Sequence, residues 1–281
     1  MHLQLILASL IWGLNIVVMK LTLISVPPYH LAIVRVLLSC LVLYVIARWQ
    51  HVPLTVSYRQ LPGLGMIGLL NVSLNFGLSF YGLQLLEGNQ VALLNTLSPL
   101  IMCLVTWQAP ASWASLALCL FGFYTSIHYD LSVFQTGHFY ILLSLACYQL
   151  SLARIQKLSM DRLVISFWSM LLGGLLLLGP AYVLEGWAWG SFLSLSLSQW
   201  FWFGLFSVVG FALIQLVYIK AGNRMSMVAV GFYMNLAPVF TYLGSLIFLH
   251  ERFDIFVGLG MGMVLVSLYW SKKSAQRALS S

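Results

Sequence analysis

Apolar residues fill this chain in ten stretches of roughly twenty, near 3–24, 30–47, 61–83, 90–107, 112–127, 138–156, 163–184, 200–220, 226–248 and 255–270. A helix rising about 1.5 Å per residue needs about twenty apolar residues to cross a hydrocarbon core of roughly 30 Å, because each backbone amide in lipid must bond within its own segment. The pattern predicts an all-α integral membrane protein with ten transmembrane helices. The longest gaps, around 48–60 and 185–199, suffice only for loops, and Ser271 to Ser281 reads as a short polar tail, so no soluble domain fits. The first stretch carries no Lys or Arg before it and no A-x-A-like site, so it is expected to stay as the first helix.

The second half repeats the first. Phe76-Gly77-Leu78, Tyr81, Gly88-Asn89, Val91-Ala92 and Leu97-Ser98-Pro99 recur in order as Phe211-Ala212-Leu213, Tyr218, Gly222-Asn223, Val228-Ala229 and Leu236-Ala237-Pro238. Pro99 and Pro238 are 139 residues apart, about half the chain, so each copy holds five helices: 1–133 and 134–281. An odd number of crossings places the second copy upside down. Inverted repeats of this kind build secondary transporters, in which one half rocks against the other around a central cavity near the midplane.

Composition agrees, with 61% hydrophobic and 7% charged residues, far from the soluble range in which about a quarter are charged. The net charge of +7 sorts by side rather than forming a patch. With the N-terminus cytoplasmic, Arg48, Arg59, Arg154, Lys157, Arg162, Lys220, Arg224, Lys272, Lys273 and Arg277 fall inside, and only Lys20, Arg35 and Arg252 near the outer ends. Cytoplasmic retention of basic residues then sets both termini inside a cell inner membrane. The basic balance is therefore a topology signal, and no nucleic-acid partner is expected. Cys40, Cys103, Cys119 and Cys147 lie within apolar spans and read as small packing residues.

Ile11-Trp12-Gly13-Leu14-Asn15 followed by Lys20, Arg35 early in the second helix, Tyr81-Gly82-Leu83, the two Leu-x-Pro motifs and Leu249-His250-Glu251-Arg252 resemble the EamA-type permeases of the drug/metabolite transporter superfamily. The resemblance runs from about residue 5 to 270. It implies a ten-helix inner-membrane carrier with a central cavity, of a kind that often exports amino acids or other small metabolites. The chain departs from the family after its fourth helix. Where a Gly-Glu-Arg-like turn is usual it reads Thr106-Trp107-Gln108-Ala109-Pro110, so only the second copy keeps the acidic residue.

Polar groups at membrane depth tend to face the bundle interior or a wet cavity. Asn71, Asn75 and Ser79 share one face of the third helix, as Ser207, Phe211, Gln215 and Tyr218 share one of the eighth. Trp12 with Asn15, and Tyr148 with Gln149, add the first and sixth helices. Each has two readings, an interhelical hydrogen bond or a substrate contact. Pro99 and Pro238 cannot donate to the carbonyls of Asn95 and Met234, so each is expected to bend its helix as a hinge, with Asn95 and Asn235 offering amides at the break. Lys20 and Arg35 sit within about one turn of the outer boundary. Snorkelling to the headgroups or pairing with Glu87 is the structural reading, and attraction of a carboxylate or phosphate on a substrate is the functional one.

Other motifs carry less. Gly63-Leu64-Gly65-Met66-Ile67-Gly68 has the letters of a dinucleotide fingerprint but opens a membrane helix, where close packing is expected. Gly258 and Gly262 form a G-x-x-x-G pair, expected to pack within the fold and also compatible with a homodimer. His128, Asp130 and His138 are too loosely spaced to predict a metal site, and no cofactor is expected. An intramembrane enzyme would need buried acid–base groups or metal ligands, and the deep spans hold no Asp, Glu or His. A structural or receptor-like membrane protein would leave the duplication without a purpose. The expected function is movement of a small organic metabolite, amino-acid-like and outward, by alternating access.

Overall fold

The structure is a computed structural model that describes residues 2–106, 113–126, 134–222, 233 and 236–280. Every regular element among them is helical. In chain order these are α1 (His2–Thr22), α2 (Pro28–Trp49), α3 (Leu61–Leu85), α4 (Gly88–Asn95), α5 (Ser98–Thr106), α6 (Trp113–Ser126), α7 (Thr136–Ile155), α8 (Arg162–Glu185), α9 (residues 197–222), α10 (Ala237–Phe248) and α11 (Ile255–Ser280), with a short 3₁₀ turn at Trp189–Ser194. Five are long and apolar enough to cross a membrane alone: α1, α2, α3, α8 and the Leu197–Ile214 part of α9. The protein is thus a multi-pass helical membrane protein.

Local chemistry sets the boundaries. Pro28 starts α2, where a missing amide proton costs nothing because the first turn leaves that donor unused. Gly186, at φ +66°, ends α8 in a conformation that other residues adopt only under strain. The α3 and α9 helices each widen into a π segment, Leu69–Leu74 and Phe203–Gly210, which end immediately before Asn75 and Phe211. A π segment adds a residue to the turn and so re-aims the face that follows it.

Small residues let the helices approach closely. A Cβ on Gly68 would stand 2.6 Å from the Ser169 carbonyl oxygen, and one on Gly173 would stand 2.5 Å from that of Gly68. Ser73 Oγ donates to the Gly173 carbonyl at 2.7 Å, so α3 and α8 are held by contact and by hydrogen bond. Of the glycines at the start of α3, only Gly68 has this packing role, since Gly63 and Gly65 face open space. The G-x-x-x-G expectation is also corrected. Gly258 and Gly262 meet nothing within 4 Å, and it is Gly260 that packs, against Gly122 of α6.

Leu41 and Val45 on α2, Leu175 and Leu176 on α8, and Leu259 and Val266 on α11 are exposed. In a chain hydrophobic around most of each helix, these faces are the lipid contact. Exposed aromatics sit at helix ends, Trp49 at the end of α2 and Tyr182 and Trp187 at the end of α8, as expected where the bilayer meets water.

Candidate functional site

At the first Leu-x-Pro motif one helix ends and another begins, and at the second, among the described residues, α10 begins. Between α4 and α5, Thr96 N donates to the Leu93 carbonyl and Leu97 N to that of Leu94, both at 3.0 Å, tightening the chain to bonds three residues back. Pro99 cannot reach the Asn95 carbonyl, and Ser98 Oγ donates to it instead at 2.8 Å. Before α10, Leu236 N likewise donates to the Tyr233 carbonyl at 3.0 Å. Ser9 Oγ of α1 donates to that same carbonyl at 2.5 Å. Gly13 allows α1 to lie against the start of α10, where a Cβ would be 2.6 Å from the Ala237 carbonyl, and Thr241 Oγ1 reaches the Gly13 carbonyl at 3.2 Å.

A cavity of about 580 Å³ lies between these breaks. Trp12, Asn15 and Met19 of α1, Asn75, Phe76, Ser79 and Phe80 of α3, Asn95 and Ser98 at the first break, and Ala237 and Pro238 at the second face it. The α7 helix contributes Ser144, Tyr148 and Gln149. The lining runs from Leu83 and Val91 at one end to Leu152 and Gln156 at the other. A larger depression, about 720 Å³, covers Glu87, Asn89 and residues 249–256, beside a loop rather than among the helices.

Of the residues singled out by sequence, Trp12, Asn15, Asn75, Asn95, Tyr148, Gln149, Arg35 and Pro238 therefore share one cavity. They are not equally free. Asn15 Oδ1 accepts from Ser207 Oγ of α9 at 2.8 Å, so this amide also joins two helices. Asn75 Nδ2 donates back to the Asn71 carbonyl at 3.1 Å, bridging the π segment, and the Asn71 side chain is not among the lining. Asn235 and the side chains of Pro99 and Gln215 lie outside the described residues, as do His128 and Asp130. Ser79, which shares the Asn75 face, also lines the cavity, and Ser98, Ser144 and Gln156 extend the polar lining beyond the predicted set. Ser98 had a sequence signal in its position directly before a mid-helix proline.

Lys20 and Arg35, alike in sequence position, part company. Lys20 Nζ donates to the carbonyls of Leu83, at 3.0 Å, and Leu86, so it caps the C-terminal end of α3, where free carbonyls and the helix dipole favour a cation. Arg35 is turned inward and is 4% exposed. Its guanidinium carbon lies 4.7 Å from the ring centre of Phe76, 5.4 Å from that of Phe211 and 5.7 Å from that of Phe80. Its Nε has no hydrogen-bond partner, and among the described residues no carboxylate forms an ion pair with it. Snorkelling is thus excluded for Arg35 by its burial. Ring contacts contribute about 0.5–2 kcal/mol each, whereas an unpaired buried ion costs several kcal/mol even after relaxation. The aromatic setting reduces that cost without supplying a counter-charge.

At the Leu83 end, two glutamates of the C-terminal half grip helix starts of the N-terminal half. Glu185 accepts from the backbone N–H groups of Tyr29 and His30 at 2.8 and 3.1 Å, from His30 Nδ1 at 2.7 Å and from the Tyr81 hydroxyl at 3.1 Å. Ala188 N donates to His30 Nε2 at 3.3 Å, which places the ring proton on Nδ1. Glu251 accepts from Gly88 N at 2.6 Å and Asn89 N at 2.8 Å, at the start of α4. Glu185 caps the start of α2, whose own N-cap Pro27 makes no side-chain bond, and Glu251 adds a second carboxylate to the start of α4, where Glu87 and Gln90 form a capping box. Sequence placed both residues in loops and offered no sign of these partners.

A largely apolar cavity set with a few amides and hydroxyls, lying among lipid-facing helices and beside both Leu-x-Pro turns, is that of a membrane protein built to pass a small molecule. The comparisons with known proteins make that class specific. The sequence model of the EamA-like transporter family matches residues 1–127 and again 135–271, and the chain belongs to that family, which is one of transporters and not of enzymes. A solved crystal structure shares the fold, with a TM-score of 0.61 at 17% identity over 94% of this chain and 96% of that one. Among curated proteins no sequence match is found.

Proposed function

We propose that this chain is an inner-membrane secondary transporter that moves a small, amino-acid-like metabolite outward by alternating access, its two five-helix copies inverted with respect to each other. The observation that carries the reading is the matched pair of Leu-x-Pro turns at Leu97-Ser98-Pro99 and Leu236-Ala237-Pro238, each tightened by the same three-residue-back bond, each opening a helix, and both beside one cavity. A break at mid-membrane frees backbone groups for a substrate and gives the helix a place to bend, which is how carriers of inverted-repeat design combine binding with rocking.

Asn75, Asn95, Gln149 and Ser98 offer the substrate donors and acceptors, with Trp12 and Tyr148 as aromatic walls and Arg35 as the one cation among the described lining residues. No Asp, Glu or His is found among those described residues, so gradient-driven exchange of access is the simplest cycle. The test is a metabolite screen of cells with and without the chain, followed by counterflow of the best hit in sealed proteoliposomes. Lower retention in cells that carry the chain, and flux that vanishes when the vesicles are made leaky, are the expected results. Catalytic turnover in detergent with no vesicle flux would reject the reading.

A further inference from the structure

We propose that the cavity selects its substrate by a carboxylate that docks on Arg35, and that the rest of the substrate is recognised without any ionic contact. The inference rests on the transport reading and narrows it to a substrate class: organic monocarboxylates, amino acids included only because they carry that group.

Among the described residues that line the cavity Arg35 is the only charged side chain, so they give the space one positive charge and no acid to offset it. Among the described residues the guanidinium has no hydrogen-bond partner, and its Nε is buried without one. A guanidinium presents its donors in the plane and its faces above and below. Phe76, Phe80 and Phe211 surround the guanidinium with ring contacts at 4.7–5.7 Å, and aromatic rings offer it no lone-pair acceptor. Its N–H donors therefore remain for an acceptor, and the geometry a guanidinium fork fits best is the two-oxygen fork of a carboxylate.

Two further observations narrow the class. A phosphate dianion calls for more than one charge or a nest of backbone donors, and only one cation is found among the described lining residues. An ammonium meets no carboxylate among them: of the described acids at the Leu83 end, Glu185 and Glu251 are bonded to helix starts and Glu87 accepts from the Asn89 amide. Lys20 is committed to the carbonyls of Leu83 and Leu86. The amides and hydroxyls can satisfy neutral polar groups of the substrate, while Trp12, Met19 and Ile16 accept an apolar body.

The experiment measures thermal stabilisation of the purified, full-length protein by four sets of compounds. The first is leucine, 4-methyl-2-oxopentanoate, leucinamide and 3-methylbutylamine, which share a side chain; the others are the matching phenylalanine set, uncharged sugars and nucleosides, and sugar phosphates. Hits are confirmed by counterflow in proteoliposomes. Binding confined to molecules with a carboxylate, with the keto acid retained and the amide and amine lost, supports the proposal. Arg35→Gln should then weaken carboxylate binding about a hundredfold, with Arg35→Lys intermediate. An amine, amide, sugar or phosphate ester that binds the native protein as tightly as the acids do overturns it, and this comparison holds even if a variant misfolds. Flux of such a molecule would leave the transport reading standing and sink only the carboxylate. Absence of any binding and any flux across all sets would reject both.

Discussion

Phe76 and Phe211 meet edge to face, with ring centres 6.5 Å apart and planes at 84°, and the guanidinium of Arg35 lies over both. The two are equivalent positions of the duplicated sequence, in Phe76-Gly77-Leu78 and Phe211-Ala212-Leu213. Under a two-fold operation, residue i maps onto j and j onto i, so equivalent residues touch only beside the axis. On the proposed inverted repeat, the axis therefore passes next to Arg35. The corresponding helix of the second copy, residues 163–184, holds no charge, so the arginine is where the symmetry of the site is broken.

Both termini are expected in the cytoplasm, on the ten-to-three partition of basic residues. Ser274→Cys should resist an impermeant thiol reagent in intact cells and react after permeabilisation. Labelling in intact cells would reverse the orientation.

Pro99→Ala and Pro238→Ala restore a donor at each Leu-x-Pro turn and remove the ring that holds the turn open. Folding should survive and transport should slow, because the break is where the helix bends. Flux at the native rate in both variants would reduce the prolines to details of packing.

The asparagines should separate. Asn75→Leu and Asn95→Leu are expected to weaken substrate binding tenfold or more, about 1–3 kcal/mol for a substrate group left unpaired, with abundance unchanged. Asn15→Leu also strands the Ser207 hydroxyl, so it should lower the melting temperature as well as affinity. Equal loss of stability in all three would mean that these amides serve helix packing alone.

Lys20→Met leaves the Leu83 and Leu86 carbonyls without their donor, and Glu251→Gln replaces a charged cap on Gly88 and Asn89 with a neutral one. Each should cost about 1–3 kcal/mol in thermal unfolding. Lys20→Met should leave substrate affinity within twofold, in contrast to Arg35→Gln. A large affinity loss in Lys20→Met would return it to the substrate site.

Gly68→Ala pushes a methyl into the Ser169 carbonyl and should destabilise by about 1–3 kcal/mol, as overpacking does elsewhere. Gly63→Ala, which faces open space, is the control and should be neutral or slightly stabilising.

Periodicity and breakers were legible from sequence because they act locally. The span expected at 61–83 is observed as Leu61–Leu85 and that at 138–156 as Thr136–Ile155, and both Leu-x-Pro motifs mark a turn at which a helix begins. Contacts between distant segments were not legible. Lys20 and Arg35 read alike because both lie near a boundary, and only the carbonyl end of α3 beside one and the rings of Phe76, Phe80 and Phe211 around the other tell them apart. Asn15 read as a cavity residue, and its tie to Ser207 depends on two helices meeting 192 residues apart. Gly258 and Gly262 matched a packing motif, but the face of α11 that meets α6 is set by Gly260.

The grip of Glu185 and Glu251 has a kinetic meaning. All six of the hydrogen bonds they accept cross from one half of the chain to the other, and all lie at one end of the cavity. Parting the halves there requires these bonds to break nearly together, since both carboxylates ride on the same half. Bonds to a charged acceptor contribute about 1.5–3 kcal/mol each when lost to an apolar setting, and much less when water replaces the donor at once. The height of that barrier is therefore set by how early water enters: a seam that wets before it widens opens quickly, and one that stays dry acts as a spring catch.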